Sequence, residues 1–352
     1  MKRETKISEL MFVVVCALLA SKLKAAPRTT KVVQSAASDA ANRAQLNKRL
    51  VMAIINGDLS KVKIFLSRGA QINVPDSQGN TPFAVAVARG NVPIVSFLLA
   101  KSGNVKARNK QGITPLMAAA QRGYVSIAKM LLDKGAPLEV TDGFGRTALT
   151  YSVMSDLYNV FTDRFSPTPR QSTAAATARL LISRGANVNA KDKQGITALI
   201  WSAMLHQARI TRLLLNAGAN LNIKMLGGVT ALMVAAGSGY GENMSMLLSK
   251  GASVNVATPD GTTALMLAAG FGYGAVNDGK AAIAVKLARI LLNKGANPNA
   301  KRSDGATALT IAVEQENGEL EKLLFAKGAK KTKAPLPQDD EGYDGQYSGR
   351  YQ

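Results

Sequence analysis

Little in this 352-residue chain is equipped for catalysis. It has one histidine, His206, and one cysteine, Cys16, so no His/Cys cluster reaches metal-ligand spacing. Any Ser-His-Asp set would have to use His206. Two glycine-rich stretches, Gly237-Ser-Gly-Tyr-Gly241 and Gly270-Phe-Gly-Tyr-Gly274, look like phosphate loops at first sight. Neither completes G-x-G-x-x-G, and both fall at a helix end rather than between a strand and a helix. No enzymatic activity, metal or cofactor is expected. Positive charge, by contrast, is abundant: 44 Lys and Arg stand against 23 Asp and Glu, a net +21. The chemistry this supports is recognition of anions.

The elements that position these charges repeat. Seven threonines, Thr81, Thr114, Thr147, Thr197, Thr230, Thr263 and Thr307, each open a T-P-F, T-P-L or T-A-L phrase, with gaps of 33, 33, 50, 33, 33 and 44 residues. A Gly-Ala pair closes most units, as at Gly69-Ala70, Gly135-Ala136 and Gly251-Ala252. Within one unit, Thr114 is placed to cap a helix and Pro115 occupies its first position, where the missing N–H does no harm. Gly123 breaks that helix, Val125 to Leu132 carries apolar residues at helical spacing, and Gly135 suits a left-handed end. Neither helix can bury its apolar face alone, so stability must come from stacking. His206 takes the place of the inter-helix glycine, as Gly123 and Gly239 do elsewhere, and reads as a turn residue.

A 33-residue period with T-P-L near its start resembles the ankyrin repeat family, from about Gln45 to Ala329. The resemblance implies an all-α solenoid of about eight helix-turn-helix units with hairpin tips, binding partners on the tips and concave side. In one respect the sequence departs from the family. Where its repeats usually carry a histidine bonded to the threonine, this chain has Ala84, Met117, Thr150, Ile200, Met233, Met266 and Thr310. Apolar packing is expected to replace that ladder, with the three methionines filling the seam.

The period places units at about 45–75, 76–108, 109–141, 142–191, 192–224, 225–257, 258–301 and 302–329. Residues 27–44 read as a linker and the start of an N-terminal capping helix, and 330–352 as a disordered tail. The two long gaps place loop insertions between the helices of the fourth and seventh units, at approximately 156–172 and 273–283. The first, with Tyr158, Phe161 and Phe165, is expected to contact a partner. In residues 1–26 a basic start precedes the apolar run Leu10–Ala20, the plan of a signal peptide; a retained membrane anchor is the alternative. The compartment expected is therefore periplasmic or secreted, or else membrane-anchored by the N-terminus. Cleavage would remove Cys16 and leave no disulfide to form.

Residues 27–329 carry 35 basic and 17 acidic residues, net +18. Arg108, Lys110, Lys191, Lys193, Lys224, Lys301 and Arg302 precede the glycine of the threonine phrase, and Arg146 follows it. Arg89 and Arg122 sit late on first helices. Stacking helices about 10 Å apart would line these charges into a basic stripe. Phe144, Met204 and Phe271, with Met154, Leu205 and Leu226, occupy positions that other units fill with polar residues, which suggests an apolar contact patch. The function expected is an exported, non-enzymatic protein-interaction scaffold that binds an acidic partner through its basic hairpin and concave surface. The alternative is adhesion to a polyanionic envelope or membrane surface, with steep salt dependence. Nucleic acid is not an expected partner, since aromatics make up 5% of the chain and no reading motif is present.

Overall fold

The computed structural model describes residues 27–155, 171–271 and 279–331. The proposed signal peptide or anchor, the centres of both insertions (with Tyr158, Phe161 and Phe165) and the tail from residue 332 lie outside the described residues. The chain divides into two compact units after Val74.

In the first unit α1 (Pro27–Ile55) and α2 (Leu59–Ser67) form a helix pair. The stretch 27–44, read as a linker leading into a helix, is helical throughout. Leu50, Ala53 and Ile54 of α1 and Val62 of α2 are buried. Asp58 caps α2, its carboxylate accepting from the Lys61 amide at 2.9 Å.

Seven further pairs make up the second unit. They are α3 (Pro82–Arg89) with α4 (Val92–Ala100), α5 (Pro115–Gln121) with α6 (Val125–Asp133), and α7 (Ala148–Val153) with α8 (Gln171–Ser183). Next come α9 (Ala198–Met204) with α10 (Ala208–Asn216) and α11 (Ala231–Gly237) with α12 (Gly241–Ser249). Last are α13 (Ala264–Ala269) with α14 (Lys280–Asn293) and α15 (Ala308–Glu314) with α16 (Gly318–Ala326). Each of the seven threonines caps its first helix, accepting from the amide three residues on at 3.1–3.4 Å. At the position where the family has histidine, Met117 Sδ and Thr310 Oγ1 accept the cap residue's own N–H, and Met233 and Met266 are buried in the seam.

First helices pack side by side in one layer and second helices in another. The core lies between the layers. Leu116, Leu131, Leu149, Leu181, Leu199 and Leu214 are each at most 2% exposed there. Truncating any one to Ala would cost about 2–5 kcal/mol.

Both insertions end in helix rather than loop. The second helices α8 and α14 run to 13 and 14 residues, against nine in α4, α6, α10, α12 and α16. The added residues, 171–174 and 280–284, include Ala174 and Ala281, Ala282 and Ala284, the residue type with the highest helix propensity. Lys280–Ile283, read from sequence as loop, is therefore the start of α14.

Asparagines that follow the Gly-Ala pairs join consecutive repeats. Asn189, Asn222, Asn255 and Asn299 accept from the amides of Asn220, Ser253, Asn297 and Lys330 at 2.7–3.1 Å. Asn255 and Asn299 also donate to the carbonyls of Gly295 and Gly328. These bonds satisfy backbone groups left open where each second helix ends.

Candidate partner-binding surface

Four of the hairpin tips are stapled by the side chain that opens them. Asp192 Oδ1 accepts from the amides of Gln194 and Ile196, both at 2.9 Å. Asp76, Asn109 and Asp142 repeat the pattern. The turn so formed presents one carbonyl to the next tip. Lys110 donates its backbone N–H to Gln78 O at 2.9 Å, Gly143 to Gln111 O at 2.8 Å, Lys193 to Phe144 O at 2.9 Å, and Leu226 to Gln194 O at 2.8 Å. Ser303 donates to Asp260 O at 2.7 Å. Between these last two junctions the donor position falls on Pro259, which has no N–H to give. The tips thus form a ladder with one gap.

On this ladder Lys110, Lys191, Lys193 and Lys301 are exposed. Arg108 and Lys224 are exposed too, but each reaches across to the next repeat: Arg108 Nη2 donates to Thr141 O at 2.6 Å and Lys224 Nζ to Ala257 O at 3.3 Å. Arg89, exposed, ends α3; Arg122, half-buried, follows α5. With Asn80, Asn109 and Tyr124 they line a groove of about 540 Å³ on the first-helix side.

Two of the cations assigned to the stripe are instead held by carboxylates of their own tips. Arg146 is half-buried, its Nη2 2.8 Å and Nε 2.9 Å from Asp142 Oδ2. Tyr151 donates its hydroxyl to the same oxygen at 2.9 Å, and the Arg146 guanidinium lies 4.5 Å from the Phe144 ring centre. Burial pushes the Asp142 carboxyl up, but hydrogen bonds from the Arg146 backbone, its guanidinium and the Tyr151 hydroxyl outweigh it. The group is held below its ordinary value. Arg302 is likewise half-buried and bonded to Asp304, which is held below the usual carboxylate range by that bond. Neither arginine is free to meet a partner's charge, because each neutralises a carboxylate the turn requires.

Nor do the apolar residues form a single patch. Phe144 and Leu226 stand out from their tips, 63% and 68% exposed. Met204 and Leu205 are half-buried at the end of α9, and Met154 is buried. Phe271 packs over the preceding repeat: a Cβ added to Gly239 would lie 2.3 Å from its ring. His206 adopts a left-handed backbone, φ 60°, and stacks on Tyr240 with ring centres 3.1 Å apart. Burial lowers its pKa. Among the described residues no group of His, Cys, Asp and Glu is placed to hold a metal ion, and no helix is long and apolar enough to cross a membrane.

A family model described as ankyrin repeats in three copies matches residues 50–142, 104–162, 171–258 and 253–334. No curated protein matches the chain. The matches take in all seven capped helix pairs and the ladder of tips, so the chain belongs to the ankyrin repeat family, whose repeats serve as protein-interaction scaffolds.

Proposed function

We propose that this scaffold is exported and binds an acidic protein partner along its tips and first-helix side. Lys110, Lys191, Lys193 and Lys301 would supply charge, Arg89 and Arg122 the groove, and Phe144 and Leu226 two apolar anchors. The observation that carries the reading is how the two signs are used at the tips. The lysines reach into solvent, whereas Asp142 and Asp192 are occupied as acceptors inside their turns. A partner therefore meets the cations ahead of the carboxylates. Export rests on the basic start and apolar run of residues 1–26.

Affinity capture from envelope extract with the wild-type chain and a Lys110→Ser/Lys191→Ser/Lys193→Ser variant tests this. A discrete protein held by the wild type and lost by the variant supports the reading. Equal capture by both would remove the tips from it. Fractionation of cells producing the chain tests export, and recovery in the cytosol alone would contradict it.

A further inference from the structure

Most of the excess charge of the second unit does not lie on its tips. Its described residues include 27 Lys and Arg against 12 Asp and Glu. The seven second helices, each with the residue that follows it, hold 14 of those cations and only four of the carboxylates. That layer carries +10 and everything else in the unit +5. In the central five, α6, α8, α10, α12 and α14, the ratio is eleven to two. Those two carboxylates face arginines: Asp133 bonds Arg184 at 2.8 Å and Glu242 lies 3.6 Å from Arg212.

Some of these cations have a local reason. Lys134, Lys250 and Lys294 end their helices, where positive charge opposes the helix dipole. A second set lies away from the helix ends. Lys129, Arg179, Arg212, Arg289 and Lys322 each stand six residues before the glycine of a Gly-Ala pair, in mid-helix, and all are exposed. Arg209 and Lys286 lie one turn before Arg212 and Arg289, which puts like charges at a three-residue spacing that helices disfavour. Local stability would select against that arrangement.

We infer that the second-helix layer is a docking face for the anionic phospholipid surface of a membrane. Its cations are spread in two dimensions, along helices by one turn and across helices by about 10 Å. This matches a sheet of headgroups better than a single strand of polymer. Between α8 and α10, Arg179, Arg209 and Arg212 line a groove of about 940 Å³ together with Ala175, Ala176, Leu213 and the carboxylate of Glu242. A phosphate headgroup entering it meets three arginines against one carboxylate, which itself lies 3.6 Å from Arg212. The five central second helices contain no aromatic residue on which a nucleic-acid base could stack.

The test is sedimentation of the full chain with phosphatidylcholine vesicles, alone or with about 30% phosphatidylglycerol, over about 0.05–0.5 M NaCl. Three proteins are compared: wild type, Arg179→Gln/Arg209→Gln/Arg212→Gln/Arg289→Gln, and the triple-lysine tip variant. The wild type is expected to pellet only with the anionic vesicles and to be released as salt rises. The arginine variant should partition roughly 600-fold more weakly, the product of about fivefold for each of its four cations, and the tip variant less than about threefold more weakly. An unchanged unfolding midpoint, read from Trp201, establishes that the arginine variant is folded. Failure of the wild type to bind at low salt would overturn the inference. So would equal binding to neutral vesicles, or equal losses in the two variants. None of these outcomes bears on capture of a protein partner, which reads the tips separately.

Discussion

The Asp142→Asn substitution tests whether a hairpin tip is held together by charge. The Asp142 side chain is 1% exposed, and that of Arg146 is 15% exposed. The substituted amide could still accept from the Phe144 and Arg146 backbone N–H groups through its oxygen. Its NH2 group would then stand where Oδ2 now takes bonds from Arg146 and Tyr151; the hydroxyl can turn to accept, but the guanidinium can only donate and is set against a donor. Breaking a buried pair from one side costs about 3–5 kcal/mol; the partial exposure of Arg146 puts this case near about 3 kcal/mol. At about 2–4 °C per kcal/mol for a stack of this size, the melting temperature should fall by about 6–12 °C. Trp201, the sole tryptophan and buried in the next repeat, reports the transition by fluorescence. The sign with pH is fixed as well. A carboxylate whose folded pKa is depressed contributes stability that is fully present above the ordinary value, about 3.9, and is lost as pH falls through the folded one. The gap between wild type and variant should therefore hold steady from about pH 7 to 5 and close below about pH 4. A loss under about 1 kcal/mol, or a gap that widens in acid, would refute the assignment of Arg146 to the tip's interior.

Four further outcomes separate fold from surface. Asn255→Ala removes the acceptor for Asn297 N at 2.8 Å and the donor to Gly295 O at 2.9 Å; at an exposed site this should cost about 1 kcal/mol in urea unfolding. Gly251→Val should cost about 1–2 kcal/mol through backbone strain alone, since φ is +88° and no atom lies within 4 Å of the added Cβ. Gly239→Ala meets strain and the Phe271 ring together, so it should cost more than Gly251→Ala, and Phe271→Ala should recover the difference in a double-mutant cycle. The triple-lysine tip variant should keep its unfolding midpoint within about 0.5 kcal/mol, because those side chains are exposed.

How far the sequence can be read depends on the range of the interaction. A threonine cap joins groups three residues apart in one unit, so Thr114 and its six counterparts can be recognised from one phrase. The asparagine ladder joins Asn222 to Ser253 and Asn255 to Asn297, across 31 and 42 residues. Its only trace in the sequence is a recurrent Asn-x-Asn after Gly-Ala, at Asn187–Asn189, Asn220–Asn222 and Asn297–Asn299, whose meaning depends on stacking. Arg146 misleads for a related reason. Its distance from Asp142 along the chain says nothing until the turn at Gly143–Gly145 folds the two together. Counting tip cations without the acceptors their turns consume then overstates the stripe. Phe271 misleads because only the stacked structure sets its ring over Gly239. The length of α14 is hidden by its insertion, since a stretch added between two helices can extend either one.

Stacking also changes what a charge means. On a single helix Arg212 is one solvated side chain, and its distant pairing with Glu242 would contribute little. Repetition at the same register places Lys129, Arg179, Arg212 and Arg289 on second helices of one layer, where their potentials add. The tips work differently. Lys110 and Lys193 hold the same turn position and donate their backbone N–H groups to the ladder, which fixes where their side chains start. Lys191 and Lys301 share the position two residues earlier with Arg108 and Lys224, beside tips whose carboxylates are engaged. One face therefore offers a regular field, suited to a partner that is itself uniform. The other offers fewer cations, set beside two exposed apolar side chains, Phe144 and Leu226, suited to a partner with a particular shape. A chain carrying both can hold a protein at a surface through contacts that do not compete. The two sets of variants should then weaken their own attachment and leave the other intact.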